Sequence, residues 1–143
     1  MIDIGFEMPD GSFLTILRTC FDEANKDALY AKFVMTPAIG GAQIGEQRPQ
    51  FIEGSFYPDI KVNSKYVKEG QKETFAQILG SQAQADKFIA DGDYYLARGH
   101  LAARADFVYS SQQRATFWYV NVAPQWQTFN GGNWNTLEDN VRK

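Results

Sequence analysis

Residues 94 to 102 read Tyr94-Tyr95-Leu96-Ala97-Arg98-Gly99-His100-Leu101-Ala102, and they open the part of the sequence that decides the fold. The turn signal Asp91-Gly92-Asp93 precedes them, so the chain is expected to enter this stretch as a strand. Residues Ala115 to Val122 combine aromatic and β-branched side chains and have the strongest strand pattern in the sequence. We therefore expect two strands on either side of a turn that carries His100.

A turn and a helix follow at the C-terminal end. Asn130-Gly131-Gly132-Asn133 is typical of a turn, and Trp134, Leu137 and Val141 recur after it at helical intervals. These three side chains predict the buried stripe of a helix that runs through to Lys143. The expected order is strand, His-bearing turn, strand, Asn-bearing loop and helix.

Residues 1 to 93 predict further strands and short helices. Three apolar segments separated by turn signals indicate an antiparallel meander: Ile2 to Met8, Phe13 to Phe21 and Leu29 to Met35. Gly, Pro and Gln accumulate from Thr36 to Asp59, which predicts a long loop. Two helices are expected over Lys72 to Leu79 and Gln82 to Ala90, with Gly80 as a C-cap and Ser81 as an N-cap. The fold class is therefore α+β, built on an antiparallel sheet.

The length and composition indicate one globular domain over residues 1–143. The hydrophobic share of 44% and the charged share of 22% lie near the globular average, which excludes disordered and fibrous classes. No apolar run reaches the roughly 18 residues that a membrane span requires, so no membrane partner is expected. Cys20 is the one cysteine, and it is consistent either with a small buried hydrophobe or with half of a bridge to another chain.

The charge is unevenly distributed along the chain. The net charge is -3, but residues 97 to 143 carry five Lys or Arg against three Asp or Glu. The negative net charge argues against a protein that binds nucleic acid through overall basicity. It leaves room for an enzyme that has a small basic site on an acidic body.

Phosphodiester hydrolysis requires a general base, a metal cation and hydrogen-bond donors that hold the phosphate. The C-terminal third contains residues that can supply the base, bind the cation and donate to the phosphate. His100 is the one histidine, and an ordinary imidazole pKa near 6.5 suits a general base. Asn130 can offer a neutral oxygen to Mg²⁺. Glu138 and Arg142 share one helix face, since a four-residue step rotates by about 40°. They could hold a metal-bound water and a phosphate oxygen.

Four separated segments, taken in chain order, resemble the DNA/RNA non-specific endonuclease family with its ββα-metal (His-Me finger) site. They are Tyr94 to Ala102, Asn121-Val122-Ala123-Pro124-Gln125, Asn130 to Trp134, and Leu137-Glu138-Asp139 with Arg142. The resemblance is strongest to the branch secreted by crustaceans and insects. It implies a secreted, metal-dependent hydrolase that cleaves DNA and RNA to 5′-phosphate products, with residues 94–143 as the catalytic motif.

The resemblance also implies a role for each matching residue. His100 corresponds to the general base, and Asn130 to the direct protein ligand of Mg²⁺, with Mn²⁺ as an alternative ion. Glu138 corresponds to the residue that orients metal-bound water. The two arginines at the site are Arg98 and Arg142. Asn121 and Gln125 correspond to supporting polar positions beside the substrate.

The sequence departs from the family pattern in two ways. Ala97 stands where the motif commonly has Asp, a trait shared with the arthropod branch. Family domains also continue well beyond the position of Lys143, so we expect a domain without its C-terminal half, completed by a second polypeptide, with Cys20 as a candidate disulfide partner.

Several side chains also have a structural interpretation. Phe117, Trp118 and Tyr119 fit core positions better than base-stacking platforms, whereas Trp126 is a candidate for stacking and Arg104 for a backbone contact with nucleic acid. Arg48 could touch phosphate, but it fits a solvated loop residue better. Two alternatives to the enzyme remain at this point. One is an inactive or nucleic-acid-binding fragment of such a nuclease, and the other is a ligand-binding β domain.

Overall fold

The structure, a computed structural model, describes residues 1–45 and 47–143. Three strands are followed by short helices and then by two further strands among helices. Both sheets are antiparallel, so the predicted α+β class is confirmed. The strands are β1 (Ile2–Glu7), β2 (Phe13–Asp22), β3 (Asp27–Phe33), β4 (Leu96–His100) and β5 (Val122–Trp126). The helices are α1 (Val62–Lys65), α2 (Lys68–Leu79), α3 (Gln82–Phe88), α4 (Ser110–Ala115), α5 (Gln127–Phe129) and α6 (Asn135–Val141).

The first three strands form the predicted meander in the order β1-β2-β3. Ile4 pairs with Leu17, and Leu17 pairs with Phe33, so one face of the sheet carries apolar side chains into a core. Cys20 lies opposite Tyr30 on this sheet as a half-buried free thiol. No observation supports the predicted disulfide to a second polypeptide.

The two predicted helices of residues 72 to 90 are confirmed as α2 and α3. Gly80 ends α2 in the left-handed region at φ 65°, where a side chain would be strained. The Ser81 hydroxyl then accepts a hydrogen bond from the backbone N–H of Gln84 at 3.3 Å and caps α3. The turn residues Gly80 and Ser81 therefore predicted the boundary between α2 and α3 correctly.

The strand predicted over residues 115 to 122 is wrong. The chain leaves α4, pairs briefly through the isolated bridge of Trp118 to Ile52, makes a 3-10 turn over Tyr119–Asn121 and enters β5 only at Val122. Phe117, Tyr119 and Val120 are all at most 1% exposed. The segment is apolar because it is buried on all sides, and this composition resembles a strand. The interpretation of Phe117 and Tyr119 as core residues is confirmed.

Strands β4 and β5 form a two-stranded sheet within residues 94–143, where the catalytic motif is expected. The N–H of Leu101 donates to the carbonyl of Asn121, and the N–H of Gln127 donates to that of Tyr95, so the two strands run antiparallel. His100 is the last residue of β4 rather than part of a tight turn. A 3-10 turn at Arg104–Asp106 and helix α4 lie between the two strands.

The buried stripe predicted for the C-terminal helix is wrong. Leu137 is 50% exposed and Val141 is 62% exposed, while Trp134, Glu138 and Arg142 are partly buried. Helical spacing shows which side chains share a face, but burial requires an element that covers that face. Within the described residues, α6 buries no side chain completely.

The chain divides into two compact units. The His100 unit comprises Met1–Phe56, His100–Ala123 and Arg142–Lys143, and the Asn130 unit comprises Tyr57–Gly99 and Pro124–Val141. The single domain over residues 1–143, divided at residue 93, stays a prediction. No helix in the described part of the chain is long and apolar enough to cross a membrane.

Candidate active site

His100 lies in an aromatic environment within the His100 unit. Its ring centroid is 5.3 Å from that of Phe51 and 5.0 Å from that of Phe117, the second pair meeting edge to face. The Nε2 atom is buried and has no hydrogen-bond partner among the described residues. A buried polar atom of this kind is expected to be satisfied by water or a ligand.

Burial, followed by the positive charges of Arg48 and Arg104, lowers the pKa of His100 from 6.5 to about 4. The imidazole is therefore neutral at pH 7. A neutral imidazole has one ring nitrogen with a free lone pair, so His100 can accept a proton at neutral pH.

Arg48 acts electrostatically on His100, an effect that the sequence did not predict. It comes from the long loop of residues 36 to 59, where a solvated arginine was expected, and its side chain is exposed. Its charge nevertheless acts on His100, as does that of Arg104. Arg104 Nε also donates to the Gln113 side chain at 3.3 Å. Two arginine charges therefore act on the histidine, and no sequence periodicity could have indicated the effect of Arg48.

Asn121 clamps the backbone just after His100. It is fully buried, its Nδ2 donates to the carbonyls of Ala102 and Thr116 at 3.0 Å each, and its Oδ1 accepts from the N–H of Ala102 at 2.9 Å. These bonds all go to main-chain atoms. Asn121 thus holds the segment that follows the histidine.

Arg142 forms an ion pair with Asp106 inside the His100 unit. Arg142 Nη1 donates to Asp106 Oδ1 at 2.8 Å, and the two side chains are only 15% and 10% exposed. The other carboxylate oxygen, Oδ2, accepts from the N–H of Ala103 at 3.3 Å. Asp106 was not among the residues expected at the site, because no sequence pattern links positions 36 residues apart.

Arg98 is held by an aromatic ring in the Asn130 unit. Its guanidinium carbon lies 5.1 Å from the ring centroid of Tyr66, within the range of a cation–π interaction. The buried side chain of Gln71 donates to the carbonyls of Tyr66 and Leu96 and accepts from the N–H of Leu96. Gln71 therefore ties the segment that carries Tyr66 to the start of β4, two residues before Arg98.

Gln125 lies against the backbone of Gly99 in the same unit. A Cβ atom on Gly99 would stand 2.4 Å from the Gln125 Oε1 atom, so the Gln125 side chain would have to shift if residue 99 were not glycine. The Oε1 atom is buried and has no hydrogen-bond partner among the described residues. The neighbouring Trp126 is 39% exposed, and its ring centroid lies 6.1 Å from that of Phe75.

Asn130 and Glu138 are the predicted oxygen donors to a metal and its water. Asn130 begins a π-helical turn that ends at Trp134, Glu138 lies in α6, and both are partly buried. Among residues 1–45 and 47–143, no group of three or more His, Cys, Asp or Glu side chains could hold a metal ion. An amide oxygen and a carboxylate are hard donors that fit Mg²⁺, which takes few protein ligands and keeps several waters.

The structure thus distributes the predicted site residues over both units. His100, Arg104, Asn121 and Arg142 belong to the His100 unit, and Arg98, Gln125, Trp126, Asn130 and Glu138 belong to the Asn130 unit. Within the His100 unit, the charges of Arg104 and Arg48 act on the histidine, while Arg142 is paired with Asp106.

Comparison with known proteins identifies the family. The sequence model of the DNA/RNA non-specific endonuclease family matches residues 1–143. A salivary endonuclease of Lutzomyia longipalpis is 33% identical over 139 residues, covering 97% of this chain and 33% of that protein. A salivary endonuclease of Culex quinquefasciatus is 28% identical over 137 residues, covering 94% of this chain and 33% of that protein.

The chain thus spans about a third of the length of the curated relatives it matches. No solved structure matches it. The family match extends over every segment that carried the resemblance in the sequence, and the relatives come from insects. The chain therefore belongs to the DNA/RNA non-specific endonuclease family, in its arthropod branch.

Proposed function

We propose that this protein is a metal-dependent endonuclease that hydrolyses phosphodiester bonds of DNA and RNA and leaves 5′-phosphate ends. Family membership and the naming of two insect relatives as salivary endonucleases support the activity. The observation that carries the proposal is a histidine kept neutral at pH 7 beside the charges of Arg48 and Arg104. This arrangement combines a base with the charges that attract a phosphate.

His100 is the general base in this proposal. It takes a proton from the attacking water at a ring nitrogen, and its walls of Phe51 and Phe117 keep the ring in one orientation. A bound phosphodiester brings a negative charge that offsets those of Arg48 and Arg104. Substrate binding is therefore expected to raise the pKa of His100 towards its ordinary value and to strengthen the base.

Arginine side chains bind the phosphate. A guanidinium presents a rigid fork of donors that matches phosphate oxygens, and we assign this role to Arg98 and Arg142, with Arg104 as a further backbone contact. Asn121 and Gln125 are assigned as supporting polar residues of the substrate site. Trp126, which is partly exposed, offers a ring on which a base can stack.

Asn130 is the proposed protein ligand of a divalent cation, and Glu138 the proposed acceptor for its bound water. When bound, Mg²⁺ or Mn²⁺ supplies positive charge for the phosphate and the leaving 3′-oxygen. Both side chains are oxygen donors in one unit, and both retain some exposure. Their chemistry fits a hard cation.

Secretion is part of the same proposal, because the two insect relatives are named as salivary proteins. The remaining length of those relatives has no counterpart in residues 1–143.

Digestion of plasmid DNA and of RNA, with Mg²⁺ and with chelator, tests the function. The purified protein should cleave both with Mg²⁺, and His100→Ala should cleave about 10²- to 10⁴-fold more slowly, the usual contribution of a general base. Lys87→Ala removes an exposed charge on α3 and should behave as wild type. Chelator-resistant cleavage, or near-wild-type cleavage by His100→Ala, would contradict the proposal. Binding of DNA without any cleavage would favour a nucleic-acid-binding fragment.

A further inference from the structure

Asp106 is a buried carboxylate that the proposed reaction does not use. Asp106 as a whole is 9% exposed, and its two oxygens have different partners. Oδ1 accepts from the Arg142 guanidinium at 2.8 Å, and Oδ2 accepts from the backbone N–H of Ala103 at 3.3 Å. One carboxylate therefore connects Arg142 to the segment that leaves His100, three residues after the histidine.

Stability alone is a weak explanation for this ion pair. Removing two charges from water is unfavourable, and the attraction between them often does no more than offset that loss. What a partly buried pair does provide is a defined geometry, because the planar guanidinium is held at Nη1 and cannot rotate freely. The arrangement thus orients Arg142 with respect to the backbone around Ala103.

A second ion pair of the same type serves as an internal comparison. Arg18 Nε donates to Asp3 Oδ1 at 2.6 Å across strands β1 and β2, with side chains that are 54% and 39% exposed. None of the predicted site residues takes part in this pair. It has the same donor and acceptor chemistry but lies at the solvent-exposed surface of the sheet.

We propose that Asp106 is a positioning residue that holds the Arg142 guanidinium in the orientation needed to bind the substrate phosphate. This inference rests on the proposed function of Arg142. Asp106 itself does not touch the substrate and transfers no proton. Its carboxylate fixes the arginine before the substrate arrives, so that less ordering is required as the reaction proceeds.

The kinetics of Asp106→Asn test the inference. The amide has the shape of the carboxylate but no charge, so the arginine loses its strong partner. We expect kcat on a duplex substrate to fall by about 10- to 100-fold, as for a displaced phosphate-binding group, while KM changes by less than about threefold. Asp3→Asn, which breaks the comparison pair, should leave both constants unchanged. Thermal unfolding of each variant establishes that it is folded at the assay temperature.

A double-mutant cycle separates positioning from general structural damage. In the Arg142→Ala background there is no guanidinium to orient, so adding Asp106→Asn should lower kcat by less than about twofold. If Asp106→Asn proves unfolded, Asp106→Glu decides the matter, because it keeps the charge but shifts it by one methylene and should still lower kcat at least about tenfold.

Each outcome has a defined meaning. Wild-type kcat in folded Asp106→Asn or Asp106→Glu, or additive losses in the double mutant, would overturn the positioning role and leave the proposed nuclease function intact. If the wild-type protein itself fails to cleave nucleic acid with Mg²⁺, the proposed function fails, and the inference fails with it.

Discussion

Protonation of His100 should destabilise this fold on acidification, in a pH window that the shift of its pKa defines. In the unfolded chain the imidazole has its ordinary pKa of 6.5, whereas burial and the charges of Arg48 and Arg104 lower the pKa in the folded chain to about 4. Above pH 6.5 the group is neutral in both states and contributes no pH dependence. Between pH 6.5 and 4 the unfolded state binds the proton more readily, so the free energy of unfolding falls as the pH falls.

The size of the effect follows from the pKa difference. At about 1.4 kcal/mol per pKa unit, a fall from 6.5 to about 4 corresponds to a loss of about 3 kcal/mol of stability by pH 4. Marginally stable proteins have roughly 5–15 kcal/mol in total, so this single group is expected to matter. Below about pH 4 the folded state also binds the proton, and the contribution of His100 becomes constant.

Urea unfolding at pH 7, 6, 5 and 4 measures this dependence directly. His100→Gln is the matched variant, because its side chain is polar but does not titrate, while the carboxylates titrate in both proteins. The difference in unfolding free energy between wild type and variant should change by about 3 kcal/mol across the window. A difference that stays constant from pH 7 to 4 would refute the argument that His100 is buried in its neutral form.

Four further predictions concern the site. The acid limb of the pH profile of kcat/KM should lie near pH 4, and that of kcat should lie at a higher pH, because bound phosphate offsets the arginine charges that act on His100. Identical acid limbs in a pH–rate series would contradict this. Gly99→Ala should lower the free energy of unfolding by about 1–3 kcal/mol in urea titrations, and Gln125→Ala in the same protein should restore part of it, since the added Cβ meets that side chain. Asn121→Ala should lower the free energy of unfolding by about 3 kcal/mol, because buried main-chain groups lose their hydrogen-bond partners. Tyr66→Leu should slow cleavage by about tenfold, and Tyr66→Phe by much less, since only the second keeps a ring beside the Arg98 guanidinium; equal rates for the two would contradict the cation–π contact.

Local sequence chemistry predicted the elements whose formation depends on near neighbours. The meander strands and the caps at Gly80 and Ser81 follow from turn residues and apolar alternation within a few positions. The strand expected over residues 115 to 122 was wrong because an apolar run records burial and not the partner that buries it. The exposed Leu137 and Val141 show the same limit for a helix face.

The sequence by itself determined the family, the α+β class and the identity of the residues expected to carry the chemistry, from His100 to Arg142. Only the tertiary structure decided how those residues are held. His100 is neutral because it is buried and because the charges of Arg48 and Arg104 act on it. Arg142 contacts Asp106, and Gln71 contacts Leu96. Each of these interactions joins positions that are far apart in the chain. Burial and charge proximity are set by through-space distances, and a periodic pattern along one segment contains no information about the segment that packs against it.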